Sequence, residues 1–134
     1  MAFSGPSEDR QAIRELMDAY SDAVFRHDAD DWIDNWAVDA TWRMPGVDVT
    51  GSAAIKAAWV QAMSAFKLAG FFSSPGSIEV DGEKATARSY TTEILETQAG
   101  AVIRIIGTYD DTLVKHGGRW RFASRTYRVL RQEA

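Results

Sequence analysis

The spacing of apolar residues separates a helical N-terminal part of the chain from a C-terminal part made of strands. Apolar side chains recur every three or four positions over Ile13–Val24, which predicts an amphipathic helix capped by Ser7. A second, short helix is predicted from Asp30, carrying Trp32, Ile33 and Trp36 and ended by Asp39-Ala40. A third is predicted over Ala53–Phe66 with Ser52 as its cap. The first half of the chain is therefore expected to be mainly helical.

Period-two alternation then predicts strands. A short hairpin is expected from Thr41–Met44 and Val47–Thr50, and a long strand from Lys84–Thr97. The longest hairpin spans Ile103–Val129, where the pair Gly117-Gly118 allows the positive φ angles of a tight turn. Because twist accumulates along such long strands, the sheet should curve strongly and need helices to fill its concave face.

Turn and breaker residues set the expected boundaries. Pro75-Gly76 is predicted to end an extended segment over Leu68–Ser74, and Asp81-Gly82 to turn the chain into the long strand. Residues 1–6 are expected to form a flexible tail, and residues 7–134 a single domain. Helices followed by an antiparallel sheet define an α+β fold.

Composition narrows the possible functions. A formal net charge of −4 argues against a nucleic-acid partner, which requires a basic face. There is no cysteine, and the two histidines are far apart in the chain, so neither a disulfide nor a metal site is expected. The N-terminus lacks the pattern of a signal peptide, and no segment is apolar enough to span a membrane, so a cytoplasmic protein is expected.

Several motifs, in order, resemble the SnoaL-like branch of the nuclear transport factor 2-like superfamily. They are SPGSIEVDGEKA at residues 74–85, GTYDD at residues 107–111 and GRWRF at residues 118–122. Tyr20, Trp36, Asp39-Ala40 before Trp42, and the spacing of Gly51, Ile55 and Trp59 are similar as well. The resemblance covers nearly the whole chain.

The resemblance implies a cone-shaped α+β roll of the cystatin-like type, in which a strongly curved antiparallel sheet wraps around the N-terminal helices. It also implies an apolar pocket for a small hydrophobic molecule that can contain a ring. Related proteins include scytalone dehydratase, ketosteroid isomerase and polyketide cyclases, so lyase, isomerase or cyclase chemistry without an organic cofactor is one expectation. A ligand-binding or assembly module without catalysis, including a structural small subunit of an oxygenase, is the alternative.

The acid-base residues of the related dehydratases do not align with matching residues here. Without gaps, the helix Asp of those enzymes falls at Phe25 and the Tyr near Met44. Their His positions fall at Phe71 or Phe72, and at Arg104 or Ile106. A small shift in register makes Asp28, with His27 beside it, the candidate catalytic pair.

Aromatic and apolar residues supply the candidate pocket lining, because a cone-shaped fold places several of them around one cavity. Arg104 and Arg125 are candidates for a polar contact inside the cone, or alternatively for covering the outer face. The candidate substrate-binding residues are Tyr20, Val24, Trp42, Met44, Trp59, Phe71, Tyr90, Arg104, Ile106 and Arg125.

A homodimer is the expected assembly. The resemblance implies that the outer face of the sheet pairs two subunits, and Val102, Ile105 and Leu113 are the apolar residues expected there.

Overall fold

Helices and one curved sheet form the domain in a computed structural model that describes residues 2–134. Within these residues there are three helices and seven strands. The helices are α1 (Ser7–Phe25), α2 (Ala29–Ile33) and α3 (Ser52–Met63). The strands are β1 (Phe3–Ser4), β2 (Trp36–Met44), β3 (Val47–Thr50), β4 (Phe66–Asp81), β5 (Lys84–Thr97), β6 (Val102–His116) and β7 (Arg119–Glu133).

The strands form one sheet in the order β1-β4-β5-β6-β7-β2-β3. The central strands β4 to β7 are joined by antiparallel hairpins, whereas β1 lies parallel to β4 and β2 lies parallel to β7. The predicted α+β class and the predicted long hairpins are confirmed. At the turn between β6 and β7, Gly117 and Gly118 both have positive φ angles, 58° and 76°.

One face of the sheet packs against the helices. In β5 the buried residues alternate with exposed ones: Ala85, Ala87, Ser89 and Thr91 are buried on the inner face. The core on this side is rich in aromatic rings, which come from all three helices and from β2, β4, β6 and β7. The alternation predicted for Lys84–Thr97 is therefore observed.

Predictions for the N-terminal segment and for two helix starts are corrected. Phe3 and Ser4, expected in a flexible tail, pair with Ile78 and Glu79; Met1 lies outside the described residues. Neither Ser7 nor Ser52 is a cap: the cap positions are Pro6 and Gly51, and neither makes a side-chain capping bond.

Trp36, predicted to lie in the second helix, instead begins β2. The helix ends at Ile33, and the Trp36 backbone pairs with Phe122 of β7. Pro75-Gly76 does not end an extended segment, because β4 continues through a bulge between Pro75 and Ser77. Proline is tolerated there since β1 does not extend along this part of β4, so no backbone N–H is needed on that side.

The outer sheet face carries only one of the three apolar residues predicted there. Val102 is 38% exposed on this face, whereas Leu113 is 1% exposed and belongs to the core, and Ile105 is half-buried on the inner face, opposite Glu93. Further exposed apolar residues on the outer face are Phe72, Tyr90, Ile94 and Ile106. No helix within residues 2–134 has the length and apolar character needed to cross a membrane.

Candidate functional site

The centre of the core is the ring of Tyr20 on α1. Its centroid lies 5.5 Å from that of Trp32 and 5.5 Å from that of Phe71, with Tyr109 and Phe122 of the sheet at 6.4 Å and 5.9 Å. Its phenol oxygen lies 3.3 Å from that of Tyr109. Burial raises the pKa of the Tyr20 phenol, so both hydroxyls remain protonated donors inside the protein.

A buried ion pair lies beside these tyrosines. Arg125 of β7 donates from Nε to Asp111 Oδ1 at 2.8 Å and from Nη2 to Asp111 Oδ2 at 3.1 Å. Both side chains are almost fully buried. The guanidinium also stacks on rings, with its carbon 3.8 Å from the centroid of Tyr109 and 4.1 Å from that of Phe122. Because Asp111 occupies the donors of Arg125, this cluster has no net charge to offer a ligand.

A second polar cluster lies on the inner face of β5 and β7. Glu93 of β5 shares the inner face with Ser89 and Thr91 and is half-buried. Its Oε2 accepts hydrogen bonds from the phenol of Tyr127 and from the Thr91 hydroxyl, the latter at 3.2 Å. Within residues 2–134 no side chain or backbone group donates to Glu93 Oε1. That oxygen is available to a ligand.

Burial raises the pKa of the Glu93 carboxyl, while the hydrogen bonds from Tyr127 and Thr91 oppose the rise. Tyr127 shows the reciprocal effect: burial raises the pKa of its phenol, and the neighbouring carboxylate adds to the rise. A carboxyl with a raised pKa is a stronger base when ionised than an ordinary surface carboxylate. Glu93 is therefore the group in this cluster best suited to move a proton.

Apolar side chains surround Glu93. On the same face, Ile105 of β6 lies directly opposite Glu93. At the next inward-facing position of β5, Leu95 pairs with Ile103 of β6. Ile103 and Ile105 are only half-buried, and β7 beyond Tyr127 is exposed. The Glu93 site, defined as Glu93, Tyr127, Thr91, Ile103 and Ile105, is thus a partly open apolar surface around one carboxylate.

A family model described as a SnoaL-like domain matches residues 6–126. The chain belongs to the SnoaL-like family. No curated protein sequence matches it. The motifs in the β4–β5 and β6–β7 hairpins therefore carried the correct family assignment.

Solved structures with the same fold agree with this membership. A protein of unknown function from Mycobacterium tuberculosis, Rv3472, is 26% identical with a TM-score of 0.83, over 95% of this chain and 77% of that one. A protein provisionally named a scytalone dehydratase from Novosphingobium aromaticivorans is 23% identical with a TM-score of 0.87, over 93% and 86%. A hexachlorocyclohexane dehydrochlorinase, LinA type 2, is 15% identical with a TM-score of 0.84, over 94% and 88%.

This SnoaL-like chain places seven of the ten predicted binding residues in or against its core. Trp59 stacks on Trp32 with centroids 4.5 Å apart and planes 10° apart, and Trp42 packs edge-on to Trp32 with centroids 5.6 Å apart. Tyr20, Val24 and Phe71 are buried, and Met44 is partly buried. Arg125 is buried too, so of the two roles left open for it, the interior one is observed.

Three predicted lining residues lie elsewhere. Tyr90 and Ile106 are 44% and 48% exposed, and Arg104 is exposed. All three share the outer face, because in β5 and β6 they alternate with the buried residues. The expectation that Tyr90 and Ile106 line the interior is wrong, since the parity of these strands points them away from the helices; of the two roles left open for Arg104, the outer-face one is observed.

The predicted catalytic pair lies at the surface. Asp28 caps α2: its Oδ1 accepts a hydrogen bond from the Asp31 backbone N–H at 3.0 Å, and its Oδ2 pairs with Arg26 at 2.9 Å. These contacts, led by the Asp31 N–H, lower the pKa of Asp28. His27 has a positive φ of 52°, and its Nε2 lies 3.3 Å from the Phe66 carbonyl oxygen. Neither residue is near Glu93 or Arg125 in any described contact, so their catalytic role remains an untested prediction.

Sequence reasoning did not identify Glu93, Tyr127, Thr91 or Asp111. The available signal was an acidic residue on the face of β5 that otherwise carries Ala85, Ala87 and Ser89. A charged residue in a row of small buried ones is unusual and requires a partner. This signal can be recognised only when it is known which face of β5 is buried.

Proposed function

We propose that this SnoaL-like protein binds a small hydrophobic, ring-containing molecule at the Glu93 site and moves a proton on it without an organic cofactor. The observation that supports this proposal is the half-buried Glu93 carboxyl, held on one oxygen by Tyr127 and Thr91 and free on the other. Eliminations, allylic isomerisations and aldol-type cyclisations can each begin with removal of a proton from carbon by such a base. The naming of one structural neighbour as a dehydratase and of another as a dehydrochlorinase is consistent with this class.

In this mechanism Glu93 Oε1 accepts the proton from the ligand. Tyr127 and Thr91 fix the carboxylate by bonding Oε2, so that Oε1 faces the ligand in one orientation. Ile103 and Ile105 supply apolar contact to the ring and reduce the water around the carboxylate. The ion pair of Arg125 with Asp111 lies deeper and holds β6 against β7.

Replacing Glu93 with Gln should abolish this proton transfer. The test is exchange of the α-hydrogens of cyclohexanone for deuterium in D2O, followed by NMR, because it needs no knowledge of the natural substrate. We expect the wild-type protein to accelerate exchange and Glu93→Gln to be at least about 100-fold slower.

The exchange rate of the wild-type protein should also rise with pH as Glu93 ionises. The midpoint of this rise should lie above the ordinary Glu pKa of about 4.3, because burial raises the pKa of Glu93.

Glu96→Gln is the matched control. Glu96 lies on the same strand but pairs with Lys67 at 3.3 Å, away from Tyr127, and its substitution should leave exchange unchanged. Equal loss in both variants, or no acceleration by the wild-type protein, would contradict a base at Glu93.

Protein stability provides a second readout of the same carboxyl. Because its pKa is raised on folding, the native state binds more protons than the unfolded state in the pH window between the ordinary carboxyl pKa of about 4.3 and the raised one. Wild-type stability should therefore fall relative to that of Glu93→Gln as pH rises from 4 to 8 in urea titrations. A constant difference across that range would show that Glu93 is not desolvated.

Non-catalytic ligand binding or assembly is the second candidate function. Phe25 occupies the position aligned with the helix carboxylate of the related dehydratases, and it packs on Phe72 with centroids 5.2 Å apart. The deep core is filled by stacked indoles. If cyclohexanone binds but its hydrogens do not exchange, this second function replaces the first, in the form of a binder or of a structural subunit of an oxygenase.

We also propose that the outer sheet face pairs two copies of the chain. Phe72, Thr92 and Ile106 lie side by side across β4, β5 and β6, and Tyr90 and Ile94 flank them. Phe72 is 58% exposed and Ile106 is 48% exposed, so a contiguous apolar surface is open to solvent. Such a patch is typical of a subunit interface.

Introducing charge into this patch should prevent dimer formation. We expect the wild-type protein to sediment as a dimer and Ile106→Asp to sediment as a monomer, because a buried unpaired carboxylate costs several kcal/mol. Val38→Asp is the control, since Val38 is 80% exposed outside this patch. A wild-type monomer at high protein concentration would rule out the proposed interface.

A further inference from the structure

The inner face of the sheet continues from the Glu93 site to the end of β7. Glu93 of β5 lies opposite Ile105 of β6, and Ile105 lies opposite Gln132 of β7. Residues directly opposite each other on neighbouring strands point to the same face of a sheet. Gln132 therefore shares the inner face with Glu93, at the same level of the sheet and two strands away.

Gln132 is exposed, although it lies on the face that packs against the helices elsewhere. Earlier in the same strand, Arg125 and Tyr127 point inward and are buried. This cover ends after Tyr127, since residues 128–133 are exposed. Gln132 thus lies on the open side of the site, where a ligand can enter.

The amide of Gln132 is free to bind a ligand. Its sequence neighbours Arg131 and Glu133 pair with each other at 2.8 Å, and within residues 2–134 no side-chain hydrogen bond engages the Gln132 amide. The inner-face residues beside it, Ile105 and Val129, are apolar. A primary amide has two N–H donors and no charge. Gln132 can therefore donate to an oxygen of a ligand that lies on Ile105.

The distance from Glu93 to Gln132 suits one functional group. Their Cα atoms are roughly 10 Å apart, because neighbouring strands lie about 4.8 Å apart. The two side chains have equal length and stand on either side of Ile105. A proton transfer at one end and a hydrogen bond at the other each take about 3 Å, which leaves roughly 4 Å for the ligand's own atoms. A carbonyl group and the C–H carbon next to it fit that gap.

We propose that Gln132 binds the carbonyl oxygen of the substrate, and that the substrates of the Glu93 site are carbonyl compounds with a hydrogen on the adjacent carbon. This inference rests on the proton transfer proposed for Glu93. Glu93 Oε1 takes the proton, the C–H electron pair forms the new C=C bond, and the carbonyl π pair moves onto oxygen to give an enolate. The Gln132 N–H donates to that oxygen as its negative charge develops.

Replacing Gln132 with Leu removes the donor and keeps the size of the side chain. We expect this variant of the full chain to lower kcat for cyclohexanone exchange by roughly 10-fold, because the hydrogen bond is strongest in the transition state. KM should change by less than about 3-fold. The urea midpoint should stay unchanged, because Gln132 is exposed.

Replacing Gln132 with Glu tests its distance from Glu93. The added carboxylate should raise the pKa of Glu93 by repulsion between like charges, so the midpoint of the pH profile of exchange should move upward. Arg131→Met is the matched control. It changes the net charge by the same amount, but Arg131 lies opposite Ile106 on the outer face. Its exchange rate and midpoint should equal those of the wild-type protein.

The outcomes distinguish Gln132 from Glu93. If Gln132→Leu keeps exchange within about 2-fold of the wild-type rate while Glu93→Gln loses it, the role of Gln132 is overturned and Glu93 remains the base. A change in KM alone, or an unmoved midpoint in Gln132→Glu, overturns the role of Gln132 in the same way. Absence of exchange with the wild-type protein overturns both proposals.

Discussion

Replacing Arg125 with Met should destabilise the protein by roughly 3–5 kcal/mol. The substitution leaves the Asp111 carboxylate buried with neither of the two hydrogen bonds that Arg125 now donates to it. It also removes the cation from the rings of Tyr109 and Phe122. The free energy of unfolding, measured by urea titration with tryptophan fluorescence, gives the effect directly.

Two variants show whether the loss comes from the unpaired charge. The double variant Arg125→Met with Asp111→Leu should recover much of the stability, because neither charge is then buried. Arg131→Met removes an exposed cation that pairs with Glu133 at 2.8 Å and should change stability by less than about 0.5 kcal/mol. A cost below about 1 kcal/mol for Arg125→Met would mean that Asp111 is solvated or protonated without difficulty.

The fold was predictable because its local signals agree with one another. Alternation in β5, the glycine pair between β6 and β7 and the apolar stripe of α1 each specify one element, and together they require a curved sheet around a helix. The errors occurred where tertiary pairing decides the outcome. Trp36 follows Trp32 at a spacing that is typical of one helix face, but in the structure its backbone pairs with β7.

The polar interior was harder to predict for a geometric reason. If the β6–β7 hairpin continued in the register of its turn, Asp111 would lie opposite Ser124. A bulge between Thr112 and Leu113 shifts the partner by one residue, so that Asp111 lies opposite Arg125. The ion pair therefore depends on an irregularity with no distinctive sequence signal.

The Glu93 site was not predicted because the sequence does not determine which face of β5 points toward the helices. The face of β5 that carries residues 86, 88, 90, 92 and 94 includes the large side chains Tyr90 and Ile94, which made Tyr90 a candidate for the pocket lining. In the structure, the small residues Ala85, Ala87 and Ser89 face inward because large rings from α1 and β7 fill the space above them. Glu93 shares that parity, and its importance follows from packing rather than from its own type.

Gly107 is the position at which a single methyl group should disturb both the fold and the Glu93 site. Gly107 lies on the inner face of β6, and a Cβ there would overlap the ring and phenol oxygen of Tyr127. The missing side chain therefore gives Tyr127 the room to reach Glu93. Gly107→Ala should destabilise the protein by about 1–3 kcal/mol, measured by urea titration, because Tyr127 is 5% exposed and has little space to move.

Gly76→Ala is the control, because it adds the same methyl group at a position where the neighbouring side chain has room to move. A Cβ at Gly76 would come 2.9 Å from the Tyr90 ring, but Tyr90 is 44% exposed and can swing into solvent. The loss of stability in Gly76→Ala should therefore be much smaller than that in Gly107→Ala.

Gly107→Ala should also slow cyclohexanone exchange, since a displaced Tyr127 no longer holds Oε2 of Glu93 and the carboxylate loses its fixed orientation. If Gly107→Ala kept both its stability and its exchange rate, Tyr127 would not be the group that positions this carboxylate.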